Sequence, residues 1–262
     1  MLLSIIIVNY RSYTHLLNCL KSINDFLYKS SVLKNNFEVI LVNNEKKDLT
    51  ISTNYPFINQ KVVNVGKNVG FGTAHNLGSI MARGQYLFFL NPDTVFLDNS
   101  LIRALNYIKK CSNFGALGLK IIDNDRKSTQ NWICGKKTNW GNILLRNTIN
   151  KPWNKKTPQE VSWTSGTALI IKKTLFKKIH GFDKNFFMYF EDQDICLRIK
   201  SLNKKIIYYP QAKILHFNGK SWKNKQKQKV AYQNSQLYFF KKYNTLVGYF
   251  ILKILYKIKN LF

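Results

Sequence analysis

The 262-residue chain is short of acid: 13 Asp and Glu stand against 41 Lys and Arg, a formal net charge of +28. A field of that sign attracts polyanions, whether nucleic acid, an anionic membrane face or a phosphorylated substrate, without choosing among them. Cysteine is scarce too. Cys19, Cys111, Cys134 and Cys196 form no Cys-x-x-Cys pair, and no two histidines stand at zinc-finger spacing. That pattern argues against a disulfide scaffold or a structural zinc module and suits a reducing cytoplasm. No uninterrupted apolar run reaches the roughly 20 residues needed to cross a bilayer. The opening residues, MLLSIIIVNY, lack a basic leader and a small-residue cleavage site, so they predict a buried strand rather than a signal peptide. A nucleic-acid reading of the charge expects basic residues interleaved with stacking aromatics on a recognisable groove binder. No such motif is found.

What is present is a core and a rhythm. Apolar residues make up 45% of the chain, enough for one sizeable domain. A β-branched run over 4–9 ends in Asn9-Tyr10-Arg11, and Ser12 can cap a helix with Leu16, Leu17, Leu20 and Ile23 on one face. Further strands are predicted over 37–42, 62–65 and 86–90. The first of these ends in Asn43-Asn44 and the last in Asn91-Pro92-Asp93-Thr94, and a glycine-rich loop and a helix over 73–83 lie between them. Short buried strands alternating with helices imply an α/β fold with a parallel sheet covered on both faces. Ligands of such sheets sit beyond the carboxyl ends of the strands, so Asn9, Asn43 and Asp93 are expected to share one crevice. Residues 123–162 are polar and weakly periodic and predict an irregular insertion. Order returns with a strand over 167–171, a helix over 174–179 and two short strands over 206–209 and 213–216. A basic run over 223–229 opens a helix reaching about 243.

Although acids are few, Asp183, Glu191, Asp192 and Asp194 fall within twelve positions. Three carboxylates in four residues repel one another unless a cation or a bound proton compensates. They suit the acidic first turn of a helix. They also suit general-base catalysis, in which a carboxylate beside other carboxylates and apolar rings has its pKa raised. The flank 186–190, FFMYF, supplies such rings or simply core. Asp93 is a turn residue or a ligand for a divalent ion, and His216 a packed residue or a metal or phosphate contact. The segment 66–72, GKNVGFG, fits neither the P-loop nor GxGxxG and reads as a tight turn or a generic phosphate cradle.

Taken together, the stretches SIIIVNYRS (4–12), NVGKNVGFGTAHNLG (64–78), YLFFLNPDT (86–94), SGTALIIKK (165–173), GFDKNFFMYFEDQDICLRIK (181–200) and HFNGKS (216–221) resemble the inverting family-2 glycosyltransferases of the GT-A fold. The resemblance is to bacterial rhamnosyltransferase-like members that build surface polysaccharides. It implies a Rossmann-like, mostly parallel sheet with helices on both faces over 1–222; the basic run and the periodicity beyond it predict a basic, amphipathic helical extension over 223–262. It implies a nucleoside-diphosphate-sugar donor, of the dTDP-rhamnose or UDP-hexose kind, and a glycan or polyprenyl-pyrophosphate-linked acceptor. Val8, Asn9, Tyr10 and Asn43 would line the nucleotide base. Asn68, Gly70, Asn76 and Asn91 would border the nucleotide and its phosphates. Asp192 would be the base, with Glu191 and Asp194 orienting it or the acceptor, and Trp163 and Gly166 would contact sugar. Asp93, with His216, would hold Mg²⁺ or Mn²⁺. Two departures stand out: Asn43 and Asn91 replace acids common in the family, which bears on base identity and on metal affinity. A non-catalytic sugar-nucleotide-binding subunit is the alternative on the same fold. Over 245–262, bulky apolar residues with Lys253, Lys257 and Asn260 on one stripe predict a helix that either packs on the domain or lies on an anionic membrane, at the inner face of the cytoplasmic membrane.

Overall fold

The computed structural model describes residues 2–30, 36–51, 55–136, 138, 155–217, 224–244 and 246–259. β1 (Leu3–Asn9) and β2 (Phe37–Asn43) are buried at every position, which demands cover on both faces. Part of that cover is α1 (Tyr13–Lys29), which turns Leu16, Leu20, Ile23 and Leu27 inward at helical spacing. Another part is α2 (Phe71–Met81). It lies so close that a Cβ on Gly78 would sit 2.6 Å from Ile6 Cγ2 and 2.7 Å from Val42 Cγ2, an approach only glycine permits.

β3 (Gln60–Asn64), β2, β1 and β4 (Tyr86–Leu90) run parallel in that spatial order. The second half of the sheet is mixed. β10 (Ala168–Lys172) runs against both β4 and β6 (Phe114–Ile122). β11 (Lys205–His216) runs parallel to β6, β5 (Thr94–Phe96) closes the edge antiparallel to β11, and β8 (Gln159–Val161) also pairs with β11. A separate small sheet joins β7 (Cys134–Gly135) to β9 (Trp163–Thr164). The remaining helices among the described residues are α3 (Ser100–Lys110), α4 (Lys173–Lys178), α5 (Glu191–Lys200), α6 (Lys225–Tyr243) and α7 (Leu246–Lys259).

Two expectations change in detail. The strands predicted over 206–209 and 213–216 are one element, β11, whose register shifts between Tyr209 and Lys213. Pro210 has no N–H to give the ladder, so the strand bulges there rather than ends. The insertion is partly ordered into β7 and β8. Residues 137 and 139–154 of it lie outside the described residues, as do 218–221 of the HFNGKS stretch, the start of the basic run at 223, and positions 245 and 260–262.

The C-terminal helices are seated on a second apolar cluster of Phe186, Phe190, Phe239, Phe240 and Leu252. The aromatic run before α5 therefore serves as a socket for α6 and α7 as well as a wall near the carboxylates.

Candidate active site

The carboxyl ends of β1, β2 and β4 open on a cavity of about 910 Å³. Val8, Tyr10, Asn44, Asn68 and Gly70 line one side; Asn91, Asp93 and His216 meet Trp163, Gly166, Glu191 and Asp192 on the other. Gln228, Tyr232 and Gln236 of α6 and Leu252, Leu255 and Tyr256 of α7 complete the wall.

Asp192 owes its place to a strained approach. Tyr189 and Phe190, just ahead of α5, both adopt left-handed backbone, with φ 72° and 66°. Such conformations cost non-glycine residues roughly 1–2 kcal/mol each, and the surroundings hold them. Ser235 Oγ donates to the Met188 carbonyl (2.7 Å), Phe71 N–H to the Phe187 carbonyl (2.9 Å), and Gln228 Nε2 to the Tyr189 hydroxyl (2.7 Å). Gly70, itself at φ 85°, makes room: a Cβ there would lie 2.4 Å from the Phe187 carbonyl oxygen. The sharp turn presents Asp192 to the cavity, where its Oδ2 accepts from Gly166 N–H (3.2 Å) and its Oδ1 from Gln193 N–H (2.8 Å). Burial pushes the Asp192 carboxyl up to about 6, against these backbone donors. Glu191 is raised well above its ordinary value too, by burial first and then by the charge of Asp192, and its Oε2 has no hydrogen-bond partner among the described residues. Two raised carboxyls thus share one buried corner of the cavity, where burial and their mutual charge both favour a bound proton.

Asp194 does not join them. Residues two apart on a helix do not share a face, and Asp194 is fully buried on the far side of α5. Its Oδ2 accepts from Arg198 Nε (2.9 Å) and Nη2 (2.6 Å), and its Oδ1 from Lys242 Nζ (2.7 Å) and Tyr243 OH (2.6 Å). Lys242 also reaches Asp183 Oδ2 (2.7 Å). The structure places Asp194 away from the cavity side expected for it, where Asp194 and Asp183 tie α6 to α5 and to the segment ahead of it.

Asp93 and His216, 123 residues apart, meet because β5 pairs antiparallel with β11 and sets His216 opposite Thr94. His216 Nε2 lies 3.1 Å from Asp93 Oδ1 and 3.4 Å from Asn91 Nδ2. Gln130 fixes the ring. Its Nε2 donates to the His216 carbonyl (2.9 Å), which leaves its Oε1 to accept from Nδ1–H (2.8 Å). With Nδ1–H held by Gln130, Nε2 is the ring nitrogen that faces the Asp93 carboxylate, the nitrogen a metal would use in a histidine held by an outer partner. Burial would raise the Asp93 carboxyl, but the hydrogen bond and charge of His216 bring it below the ordinary value, so it is anionic. Mg²⁺ is commonly held by one or two carboxylates with substrate phosphates completing the shell. The pair fits such an ion. Among the described residues no third His, Cys, Asp or Glu joins it.

At the nucleotide end the expected residues divide. Asn9 and Asn43 are buried beneath the cavity floor and do not line it. Asn9 Nδ2 donates to Asn43 Oδ1 (3.1 Å), and Asn43 Nδ2 donates to the Lys47 carbonyl (2.7 Å) and Asn64 Oδ1 (3.0 Å). Their amides brace the loops. The next residue, Asn44, reaches the cavity in place of Asn43. Its Nδ2 donates to Asn68 Oδ1 (2.9 Å), and its Oδ1 accepts from Val69 N–H (2.9 Å). Asn76 is not among the cavity-lining residues either: it clasps the Phe182 backbone through Oδ1 (2.9 Å from N) and Nδ2 (2.8 Å to O). Its neighbour His75 went unremarked in the sequence, where nothing marks a lone helical histidine. It lines the cavity among Phe71, Phe89 and Phe182, and neither ring nitrogen has a hydrogen-bond partner among the described residues. Burial lowers its pKa to about 3. Gln130 was missed for the same reason: its partner lies 86 residues away.

The comparisons place the chain in a family. The family model "Glycosyl transferase family 2" matches residues 4–198. The N-acetylglucosaminyl-diphospho-decaprenol L-rhamnosyltransferase of Mycobacterium tuberculosis is 27% identical, over 91% of this chain and 83% of its own length. The dTDP-rhamnosyl transferase RfbF of Shigella flexneri is 25% identical, over 76% of this chain and 66% of its own. Among solved structures, GalNAc-T7 with UDP, GalNAc and Mn²⁺ superposes with a TM-score of 0.63 at 15% identity; the match covers 85% of this chain but only 44% of that one. The sheet, the cleft and the matched residues lead to one conclusion: this chain belongs to glycosyl transferase family 2 and is a glycosyltransferase on the GT-A fold.

Proposed function

We propose that the protein transfers a rhamnosyl group, with inversion, from dTDP-rhamnose to a hydroxyl of a polyprenyl-diphosphate-linked N-acetylglucosamine. The observation that carries the reading is Asp192: a carboxylate raised to about 6, held by Gly166 N–H, facing a cavity that also contains Asp93 and His216. Asp192 takes the proton as the acceptor O–H breaks. The acceptor oxygen bonds the anomeric carbon while the bond from that carbon to the diphosphate breaks, and dTDP leaves. The dTDP-rhamnose donor and the lipid-diphosphate acceptor are supported by the names of the similar rhamnosyltransferases. Val8, Tyr10, Asn44 and Asn68 would hold the nucleotide, and Trp163 and Gly166 the sugars. Asp93 and His216 would hold Mg²⁺ or Mn²⁺, which when bound neutralises charge on the leaving diphosphate. A UDP-hexose is the second donor to try, since GalNAc-T7, solved with UDP, shares the fold.

Steady-state turnover of dTDP-rhamnose with a short-chain diphospholipid acceptor in detergent tests the proposal. Asp192→Asn should lower kcat by about 10²–10⁴-fold, the usual worth of a general base. Turnover within about threefold of wild type would remove Asp192 from the mechanism. Donor that is bound yet never consumed by the wild-type protein with any acceptor would favour a sugar-nucleotide-binding subunit instead.

A further inference from the structure

α7 has two unlike faces. Gly248, Leu252 and Tyr256, at i, i+4 and i+8, turn toward α6, and Leu252 enters the cluster of Phe186, Phe190, Phe239 and Phe240. The opposite side is apolar and bare: Val247 is 68% exposed, Phe250 54%, Ile251 47% and Ile254 57%. A helix already seated on its domain has no internal reason to carry four large apolar side chains into water, and such patches mark contact surfaces. Lys253 and Lys257 flank the strip one turn apart, both exposed. No helix among the described residues is long and apolar enough to cross a membrane.

Leu252, Leu255 and Tyr256 of the same helix line the cavity, so the apolar surface of α7 continues from its outer strip to the wall near the catalytic helix. A second link runs through α6: Lys242 is held by Asp183 and Asp194, and Ser235 holds the Met188 carbonyl beside the strained turn. The helix with the bare strip is thus mechanically joined to the elements that place Asp192.

We propose that α7 is an interfacial membrane anchor that lies on an anionic bilayer with Val247, Phe250, Ile251 and Ile254 in the acyl boundary and Lys253 and Lys257 among the headgroups. It sets the mouth of the cleft at the lipid surface, where a diphosphate-linked acceptor tethered by its lipid can enter beside Leu255. The commitment to a bilayer rests on charge and continuity. The chain carries +28, lysines edge the strip, and the strip runs on into the cleft. A second copy of so basic a chain would bring like charge to the same face. The inference about the acceptor's route rests on the proposed lipid-linked acceptor; the membrane contact does not.

Flotation of the full chain with vesicles of phosphatidylglycerol and phosphatidylcholine, and of phosphatidylcholine alone, tests it. Wild type should float with the anionic vesicles and much less with the neutral ones. The double substitution Phe250→Asp and Ile254→Asp should reduce flotation at least tenfold. Lys253→Glu with Lys257→Glu should reduce it on anionic vesicles only, about fivefold per lysine removed. Neither pair lines the cleft, so turnover of a detergent-dispersed short-chain acceptor should match wild type while turnover of a vesicle-embedded acceptor falls with flotation. A wild type that stays unbound, or an Asp variant that floats as well as wild type, overturns the anchor. So does a wild-type dimer that the Asp variant converts to monomer without any vesicle binding. Failure of the sugar-transfer reading would show separately, as absent turnover in detergent with flotation intact.

Discussion

Asp192 and Asp194 sit two residues apart on one turn of one helix and differ in almost everything that matters. Asp194 is enclosed by Arg198, Lys242 and Tyr243, which satisfy both its oxygens. Asp192 has only backbone N–H donors, and its neighbour Glu191 leaves an oxygen with none. A carboxylate given cations is a fastener. A carboxylate denied them, and held near an apolar wall, keeps a proton affinity that chemistry at neutral pH can use. The acidic cluster looks uniform along the chain because sequence spacing does not show which side of α5 each oxygen faces or what waits there.

The largest effect separates the two. Asp192→Asn should remove most of kcat without lowering thermal stability. The sign follows from its pKa. An acid raised to about 6 in the folded state binds a proton there that the unfolded chain releases nearer 4, so it withdraws stability as pH rises through that window. The amide has no such liability, and Tm at pH 7 should hold or rise. In wild type, kcat/KM should fall as pH drops below about 6, and the surviving activity of Asp192→Asn should lack that limb. An unchanged limb in the variant would assign it to another group.

Asp194→Asn should do the reverse. It leaves Lys242 and Arg198 without their shared carboxylate, and removing one partner of a buried pair is costly. Both cations reach some solvent, with side chains 28% and 22% exposed, so the loss should be about 2–3 kcal/mol, below the fully buried range. Thermal denaturation should show it as a drop of several degrees. Turnover below the melting range should fall far less than in Asp192→Asn. Equal kinetic damage in the two variants would collapse the distinction.

This contrast also marks how far the sequence could be read. The parallel half of the fold was legible because β1, β2 and β4 are short, mostly apolar and ended by polar residues, and those features are local. The cleft followed from the rule that such strands deliver ligands to their carboxyl ends. The braces were not legible. Asn43 and Asn44 are adjacent and identical, and only the third dimension decides that one supports the loop while the other faces the cavity. Asn76 clasps Phe182 across 106 residues, and Lys242 reaches Asp194 across 48. Such partners carry no periodicity. The meeting of Asp93 and His216 came from family likeness, since a three-residue edge strand such as β5 leaves too little pattern to pair by inspection.

The metal pair offers a finer version of the same comparison, because Gln130 is to His216 what Lys242 is to Asp194. It lines the same cavity and fixes the ring that faces Asp93. Gln130→Leu should weaken Mn²⁺ or Mg²⁺ about 10- to 100-fold, the usual worth of an outer partner of a histidine ligand. The Mn²⁺ concentration that half-saturates the thermal shift with dTDP reads it directly. An unchanged metal dependence would mean that His216 is positioned without Gln130 or takes no part in holding the ion.

His75 gives the smallest and most discriminating test, because it is unpartnered as Glu191 is, yet nothing in the proposed chemistry uses it. Two buried ring nitrogens without hydrogen bonds should cost stability, and Phe71, Phe89 and Phe182 already form an aromatic cage that another phenyl ring suits. His75→Phe should therefore stabilise by about 1 kcal/mol at pH 7. The gap should then widen toward acid. The folded ring takes a proton only near pH 3, while the unfolded one takes it near 6.5, so wild type loses stability as pH falls between those values and the phenyl variant does not. By pH 5 the gap should exceed its pH 7 value by about 1–2 kcal/mol. A gap that stays constant from pH 7 to pH 5 would mean that the ring does not stay neutral in its cage. A higher KM for the donor or the acceptor in His75→Phe, with kcat retained, would show that the unpaired nitrogens take their partner from the substrate, as the carboxylate of Asp192 is proposed to do.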